Sequence, residues 1–387
     1  MNFSEWLDEL PPRKKHAFLL VEPVAKTPYP PVGLMKISSM LKDKVKGCNV
    51  VGQVGVGHDG WNEDPTGIFI TSLFTWDWKS VADCVNAYRR NYPKSRVVVG
   101  GIAASLLADK IEGATGVCPH SGLCSDAEFY PPDYSVTFGR KLGSSITFTT
   151  RGCPNRCKFC SVPKLEPDFF VKEDWERDIN KSLGSIVFWD NNFLASPNAM
   201  KDCGKMLELG KKVDFNQGLD ASLYDEEVAK TLSKLNVDPL RFAFDDITEE
   251  QIVLKAIRLA RKYTSKEICV YVLYNFEDSP DDLFYRIDLL NREGALAFPM
   301  EYRAPICETK RLPNKSWDGF LLRAFKLSLL FYYRKGMITE KRESFQSIYG
   351  TTASEFVSKL YEIYRYDKEV GRRDSKSVKK PGGSNDE

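Results

Sequence analysis

The stretch Thr150-Arg151-Gly152-Cys153-Pro154-Asn155-Arg156-Cys157-Lys158-Phe159-Cys160 decides how this chain is interpreted. Its three cysteines have the spacing C-x3-C-x2-C and directly follow a strand-like run, residues 145–150. Three thiolates that close together suit three corners of a cubic iron–sulfur cluster, because thiolates are the usual ligands of such clusters. The fourth iron then has no protein ligand, and an open metal position can bind a small molecule, as catalysis at a metal requires.

A zinc knuckle, or three unrelated buried cysteines, is the alternative interpretation of this stretch. A structural zinc site uses four Cys or His ligands in paired spacings. No cysteine or histidine follows Cys160 until Cys203. The spacing therefore favours a cluster over zinc.

In these residues the chain resembles the radical S-adenosylmethionine (radical SAM) superfamily, whose motif has this spacing and usually an aromatic residue before the last cysteine, here Phe159. The resemblance implies that Cys153, Cys157 and Cys160 hold a 4Fe-4S cluster, with SAM on the open iron. It also implies reductive cleavage of SAM to a 5′-deoxyadenosyl radical. An electron donor such as flavodoxin or ferredoxin would supply the electron.

The composition is that of an ordinary soluble globular protein. The 387 residues allow two or three domains. With 55 basic and 53 acidic residues the net charge is only +2, so binding to nucleic acid is not expected. No apolar run is long enough to predict a membrane span. Ten cysteines in a chain without an apolar N-terminal signal segment predict a reducing compartment, the cytoplasm.

The hydrophobic pattern predicts an α/β protein with a Rossmann-like N-terminal domain. In residues 1–140, strand-like runs alternate with helical stripes, which is the order of a parallel, doubly wound sheet. The strands are predicted at 16–21, 49–56, 67–74 and 96–99, and a short helix at 106–111.

A second series of strands and helices begins at residue 145. Its strands are predicted at 145–150, 185–189, 213–216, 241–244, 268–274 and 298–303. Six strands suit the partial (β/α)6 barrel that the resemblance implies, and the cysteines follow the first strand, at the barrel end that carries active sites. We predict a Rossmann-like, cobalamin-binding-like domain with a linker (1–140), the barrel (141–310), a C-terminal helical region (311–366) and a disordered tail (367–387).

Polar side chains follow four of the predicted barrel strands, which indicates the rim of a pocket. The superfamily places its SAM contacts at these levels, so the resemblance implies cofactor-binding roles for Phe159, Asp190, Asn191, Gln217, Asp220, Asn275 and Glu277. For Arg241 two roles stay open, a fork-like pair with the SAM carboxylate or a structural salt bridge. Acidic residues at this rim, among them Asp245 and Asp246, suggest a hydroxyl- or amine-bearing small molecule or a nucleoside-like substrate.

Further stretches resemble one sub-group of radical SAM proteins along most of the chain. They are PPDYS (131–135), DNNF (190–193), FNQGLD (215–220) and RFAFDD (241–246). The match indicates a family and does not name a substrate.

The N-terminal part also resembles the cobalamin-binding domain that is fused to one large class of radical SAM enzymes. Small residues follow its strands, Ser72 and Gly100-Gly101, where that fold lets a flat macrocycle approach the backbone. The D-x-H-x-x-G signature is absent, and His58 stands in a different order after the second strand. Bulky Phe74, Trp76 and Trp78 could fill the place of the macrocycle. We therefore favour a domain without cobalamin, with cobalamin binding as the alternative.

The cysteines outside the motif could bind a second metal ion, react with a radical or pack in the core. Cys118, His120 and Cys124 could form a second metal site, or be free thiols and a histidine in a loop. Cys307 is a candidate hydrogen donor to a radical. Cys307 is otherwise expected to be a packing residue, as are Cys48, Cys84, Cys203 and Cys269.

The sequence thus predicts a radical SAM enzyme that abstracts hydrogen from an unknown substrate. A cobalamin-dependent radical SAM methyltransferase and a non-catalytic metal-binding module are the alternatives. No Walker loop or dinucleotide-binding glycine motif is present, which argues against an NTPase or a dehydrogenase.

Overall fold

A computed structural model describes residues 3–11, 15–24, 27–57, 64–304, 316–334 and 348–362. These residues form two compact units. The first contains the described residues up to Ala243, together with Lys255–Ile268 and residues 303–304. The second contains Phe244–Leu254, Cys269–Tyr302 and the described residues from 316 onward. His58, Cys307 and the predicted tail (367–387), with its basic Lys376, Lys379 and Lys380, lie outside the described residues.

The first part of the chain folds as a parallel four-stranded sheet with helices. In chain order its elements are α1 (Phe3–Asp8), β1 (Ala17–Glu22), α2 (Val32–Lys44), β2 (Asn49–Val54), β3 (Gly67–Ser72), α3 (Trp78–Asn91), β4 (Arg96–Gly101), α4 (Ile102–Leu106), α5 (Ala108–Thr115) and α6 (Ser125–Glu128). The strand order is β2-β1-β3-β4, and each neighbouring pair is parallel.

Strand β1 is apolar almost throughout because both of its faces are covered. Phe18 and Leu20 pack on one side, in a core with Met35 of α2. Leu19 and Val21 point to the other side, in a core with residues of α3 such as Val85. Buried parallel strands commonly have such continuous apolar runs, and the period of two divides them between two cores.

The later strands belong to smaller sheets. Their elements are β5 (Ser144–Thr147), β6 (Thr150–Arg151), α7 (Val162–Leu165), β7 (Phe170–Val171), β8 (Ser185–Phe188), α8 (Ala199–Leu209), β9 (Lys212–Phe215), α9 (Glu226–Lys234), β10 (Leu240–Ala243), α10 (Glu250–Tyr263), β11 (Ile268–Tyr274), α11 (Pro280–Arg292), β12 (Leu296–Glu301) and α12 (Gly319–Arg334). Strands β5, β8 and β9 form a parallel sheet in that order. In the second unit, β11 pairs with β12 in parallel.

The predicted α/β architecture with parallel sheets is confirmed, and two predicted elements are wrong in detail. The run 145–150 is not one strand: β5 ends at Thr147, and β6 pairs antiparallel with β7. The buried carboxylate of Asp190 accepts the backbone N–H groups of Thr149 and Thr150, so these groups have a side-chain partner instead of a strand partner. The helix predicted at 106–111 is two helices, because Leu107 has a non-helical φ of −126°.

No helix in the described part of the chain has both the length and the apolar character that crossing a bilayer requires. The predicted domain boundaries at 140, 310 and 366 remain predictions.

Candidate functional site

The three cysteines of the motif lie on one loop directly after β6. Cys157 is exposed, whereas Cys153 and Cys160 are half-buried. The backbone N–H of Cys160 donates to the carbonyl of Cys157 at 3.0 Å, and the N–H of Val162 lies 3.4 Å from Sγ of Cys160 as donor. The loop therefore presents three soft donors, with one sulfur already accepting a backbone N–H.

A sharp turn at Gly152 directs the chain from β6 into this loop. Gly152 has φ of +72°, and a Cβ placed there would lie 2.2 Å from the carbonyl oxygen of Asp168. Both the left-handed backbone and the close approach require glycine. Backbone geometry therefore explains why glycine stands at position 152, directly before Cys153.

Glu166 anchors the start of the loop. One carboxylate oxygen accepts from Nη2 of Arg151 at 2.7 Å. The other accepts from the backbone N–H of Gly152 at 2.8 Å and from Nδ2 of Asn191 at 3.1 Å. The side chain of Glu166 therefore links the end of β6, the turn before Cys153 and Asn191, which lies in the segment after β8.

A buried chain of charges continues from Arg151 to helix α2. Nε of Arg151 lies 3.6 Å from Oε1 of Glu128, and Nζ of Lys36 donates to that same oxygen at 2.9 Å. Burial lowers the pKa of Lys36, while the charge of Glu128 opposes this effect. The guanidinium of Arg151 also stacks on Phe148, 4.0 Å from the ring centroid. Alternating charges in this order compensate one another without solvent.

Asp190 is buried and is committed to the protein backbone. Its Oδ1 accepts from the backbone N–H and hydroxyl of both Thr149 and Thr150, at 2.6–2.9 Å. Burial raises the pKa of Asp190, and these hydrogen bonds oppose that shift. The predicted SAM contact of Asp190 stays a prediction, but its neighbour Asn191 is the one that lines the cavity described below.

Asp220 and Gln217, predicted at the end of the third barrel strand, follow β9. Asp220 accepts from Nδ2 of Asn155 at 3.1 Å and from Nδ2 of Asn192 at 2.9 Å. Burial by itself would raise the pKa of Asp220, but the hydrogen bonds that it accepts hold that pKa below its ordinary value. Since Asn155 lies between the first two cysteines of the motif, Asp220 ties the middle of the cysteine loop to β9.

Arg241 is engaged in the structural salt bridge that was one of its two predicted roles. Its Nε and Nη2 donate to the two oxygens of Asp214, at 2.8 and 3.2 Å, in a fork-like pair. Asp214 and Arg241 are also the charges that shift the pKa of Tyr29, after the burial that raises it. A direct bond from Arg241 to SAM stays a prediction that this pairing does not favour.

The remaining predicted site residues have these positions. Phe159 is half-buried in the cysteine loop. In the second unit, Asn275 is buried just after β11 with φ of +66°, and Glu277 is exposed. Their roles toward SAM remain predictions.

A cavity of about 530 Å³ lies beside the cysteine loop in the first unit. Its wall includes Arg151, Val162 and Glu166, which flank the three cysteines, and Asn191 and Gln217, which follow β8 and β9. Other parts of the wall come from the carboxyl ends of β1, β3 and β4, from α2 and α6, and from the loop before α6. The volume is that of a pocket for a small molecule.

Two of the acidic residues that suggested a nucleoside-like substrate do not lie in this wall. Asp190 and Asp220 are absent from it, and both carboxylates are hydrogen-bonded within the protein. The polar strand ends therefore serve to hold loops together in at least these two places.

The aromatic residues after β3 pack against one another. Phe74 and Trp76 are stacked with ring centroids 4.5 Å apart, and Phe74 lines the cavity. Local packing requires glycine at position 101, because a Cβ on Gly101 would lie 2.5 Å from the carbonyl oxygen of Ser72. Its smallness is therefore no argument for a macrocycle.

The second metal site considered for Cys118, His120 and Cys124 has no support in the structure. Within the described residues, no group of three or more His, Cys, Asp or Glu side chains is arranged to hold a single metal ion. A ring nitrogen of His120 is 3.1 Å from the carbonyl oxygen of Leu123, and burial raises the pKa of Cys124 to about 11. The cysteines predicted to be packing residues are buried, as for Cys84, Cys203 and Cys269, or half-buried, as for Cys48.

A 4Fe-4S cluster makes a different demand from a single ion, because each thiolate binds its own iron and the sulfurs stand at separate corners. The donor set fits this demand: three cysteine sulfurs lie on one loop, and the loop is held at its start by Glu166 and in its middle by Asp220. Sequence reasoning missed Glu166, Glu128 and Lys36. The only available signal was a lysine within the apolar stripe of α2, where it is buried.

Comparisons with known proteins agree with the cysteine motif. Residues 147–270 match the family model of the radical SAM superfamily. The chain therefore carries a radical SAM domain, which implies an enzyme that uses a 4Fe-4S cluster, SAM, a reductant and a substrate. A search of curated proteins found no match.

Proposed function

We propose that this protein is a radical SAM enzyme that abstracts a hydrogen atom from an unreactive carbon of a small-molecule substrate. The observation that carries the proposal is the cavity beside the cysteine loop, because its wall joins the residues that flank Cys153 and Cys160 to those that follow β8 and β9. A substrate in that cavity would lie next to the place where the radical is formed.

Cys153, Cys157 and Cys160 would hold the cluster as thiolates. The chemistry that this cluster would supply when bound is one-electron reduction of SAM, with cleavage of a C–S bond to methionine and a 5′-deoxyadenosyl radical. The protein contributes binding, orientation and exclusion of water. Asn191 and Gln217 lie in the cavity wall and are the polar side chains that we assign to SAM.

The strands from β5 onward would form the partial barrel of such enzymes, preceded by a Rossmann-like domain. A cluster of this kind is oxygen-sensitive, so we place the enzyme in the cytoplasm with flavodoxin or ferredoxin as its donor. The single electron must come from such a partner, since SAM cleavage consumes one.

The test is anaerobic incubation of the reconstituted protein with dithionite and SAM. We expect about four irons and matching sulfide per chain, visible absorbance of the cluster, and 5′-deoxyadenosine as a product. Replacing Cys153, Cys157 or Cys160 by Ala should abolish all three, whereas Cys118→Ala, a control at another exposed cysteine, should change none. One zinc per chain and no 5′-deoxyadenosine would instead identify a non-catalytic metal-binding module.

Cobalamin-dependent methyl transfer is the second candidate, and one observation favours it. The cavity reaches the carboxyl ends of β1, β3 and β4, where α/β sheets bind their ligands. Against it, the D-x-H-x-x-G signature is absent, and Phe74 lies in the wall at the end of β3. Purification with hydroxocobalamin followed by a visible spectrum distinguishes methyl transfer from hydrogen abstraction without cobalamin. The products distinguish them as well, because S-adenosylhomocysteine accompanies 5′-deoxyadenosine only in methyl transfer.

A further inference from the structure

Three aliphatic side chains at the carboxyl ends of adjacent strands are unusually exposed. Val24, Leu73 and Ile102 are 38, 42 and 42 % exposed, and they come just after β1, β3 and β4. All three line the cavity. Open α/β sheets commonly bind their ligands at this edge, so apolar side chains here indicate what the cavity accepts.

Other apolar side chains extend this surface toward the cysteine loop. Ile37 of α2 and Phe74 lie in the same wall, as do Val162 and Leu165 of α7. Val162 is two residues from Cys160 and donates its N–H toward that sulfur. The apolar wall therefore runs from the sheet edge up to the cysteine loop.

Most charged side chains of the wall form ion pairs within the protein. Lys36 and Arg151 are the cationic side chains among the described residues of the wall, and they pair with Glu128 at 2.9 Å and Glu166 at 2.7 Å. Glu22 pairs with Arg140 at 2.6 Å. A phosphate or carboxylate that displaced Glu128 or Glu166 from these cations would leave a buried, uncompensated charge.

We infer that this part of the cavity binds the hydrocarbon-rich portion of an uncharged substrate, and presents one of its unactivated C–H groups to the cysteine loop. The inference rests on the proposed function and specifies its substrate class. The polar part of the wall, at Asn191 and Gln217, is left for SAM. The nucleoside-like substrate predicted from the sequence is thereby replaced by an apolar one.

The test is fluorescence titration of the reconstituted, SAM-bound protein with prodan, a neutral naphthalene dye whose emission shifts in apolar surroundings. We expect one saturable site. The double variant Leu73→Asn/Ile102→Asn should weaken binding about tenfold or more, because the dye loses apolar surface to cover. The matched control is Leu207→Asn on α8, which is 41 % exposed and lies outside the wall, and it should leave binding unchanged.

Circular dichroism verifies that the variants are folded, and Val24→Asn alone repeats the test at a third exposed position. Equal binding by wild type and cavity variants, or displacement of the dye by adenosine monophosphate, would overturn the inference. Displacement by hydroxocobalamin would also overturn it, because the apolar wall would then belong to a corrinoid. Since the titration uses no reductant, its failure is distinct from a wild type that forms no 5′-deoxyadenosine.

Discussion

Asp190 shows at the scale of one residue why position in the sequence is a poor guide to the direction of a side chain. It directly follows a strand end, as a pocket residue should, yet its carboxylate turns back to bind Thr149 and Thr150. Asn191, one position later, lies in the cavity wall. The sequence predicted a polar rim here, and neighbouring contacts decided which residue of the pair lines the cavity.

Asp245, another acidic residue of that predicted rim, should make stability depend on pH. Burial, then the charge of Glu249, raise the pKa of Asp245 to about 7, while the N–H of Leu273 and the charge of Arg286 oppose the shift. An acid whose pKa is higher in the folded than in the unfolded state holds its proton longer when folded. The contribution of Asp245 to stability therefore falls as pH rises from about 4 to about 7 and is constant above that range.

Asp245→Asn should remove this dependence. We compare the free energy of unfolding of the variant with that of wild type, measured by urea unfolding at pH 5 and pH 8. Between these pH values the difference should shift by about 1–3 kcal/mol in favour of the variant. Asp109→Asn, at an exposed position of α5, is the control and should keep the wild-type dependence. A shift by Asp245→Asn that is equal at both pH values would contradict the assignment.

At the scale of one element, the cysteine loop is held by side chains that carry no chemistry of their own. Glu166 holds its start, and Asp220 holds Asn155 in its middle. The loop has little regular structure, so these bonds and the turn at Gly152 replace a helix or strand in positioning the thiols. Such supporting contacts are what keeps a site precise.

Gly152→Ala should therefore reduce cluster loading as well as stability. The added Cβ would clash with the carbonyl of Asp168 in a left-handed conformation, which should cost about 1–3 kcal/mol. Iron content after reconstitution and urea unfolding measure the two effects. Gly143→Ala is the matched control, since a Cβ there has nothing within 4 Å. Full iron content in Gly152→Ala would show that the turn does not position the cysteines.

Within the first unit as a whole, the cysteine loop depends on the N-terminal sheet through buried charge. Lys36 on α2 reaches Glu128, 92 positions later, and Glu128 lies beside Arg151. Removing one partner of a buried pair leaves an uncompensated charge, which costs more than the pair contributes.

Lys36→Met should thus destabilise the protein by about 2–4 kcal/mol. Adding Glu128→Gln should recover part of this loss, because the orphaned charge is then removed. Lys42→Met is the control on the same helix: its side chain is 42 % exposed, so its pair with Asp133 should contribute at most about 1 kcal/mol. Urea unfolding of wild type, the two single lysine variants and the double variant measures these differences in the free energy of unfolding. Equal losses of stability in Lys36→Met and Lys42→Met would contradict the prediction.

Local chemistry in the sequence determined the cysteine motif, the parallel α/β character and most strand positions, because spacing and hydrophobic period act between near neighbours. Only the tertiary structure decided that the carboxylate of Asp190 bonds to Thr149 and Thr150, that Glu166 and Asp220 hold the cysteine loop, and that the cavity wall at the sheet edge is apolar. Those facts depend on residues far apart in the chain, as with Lys36 and Glu128, and packing alone decides which of them meet.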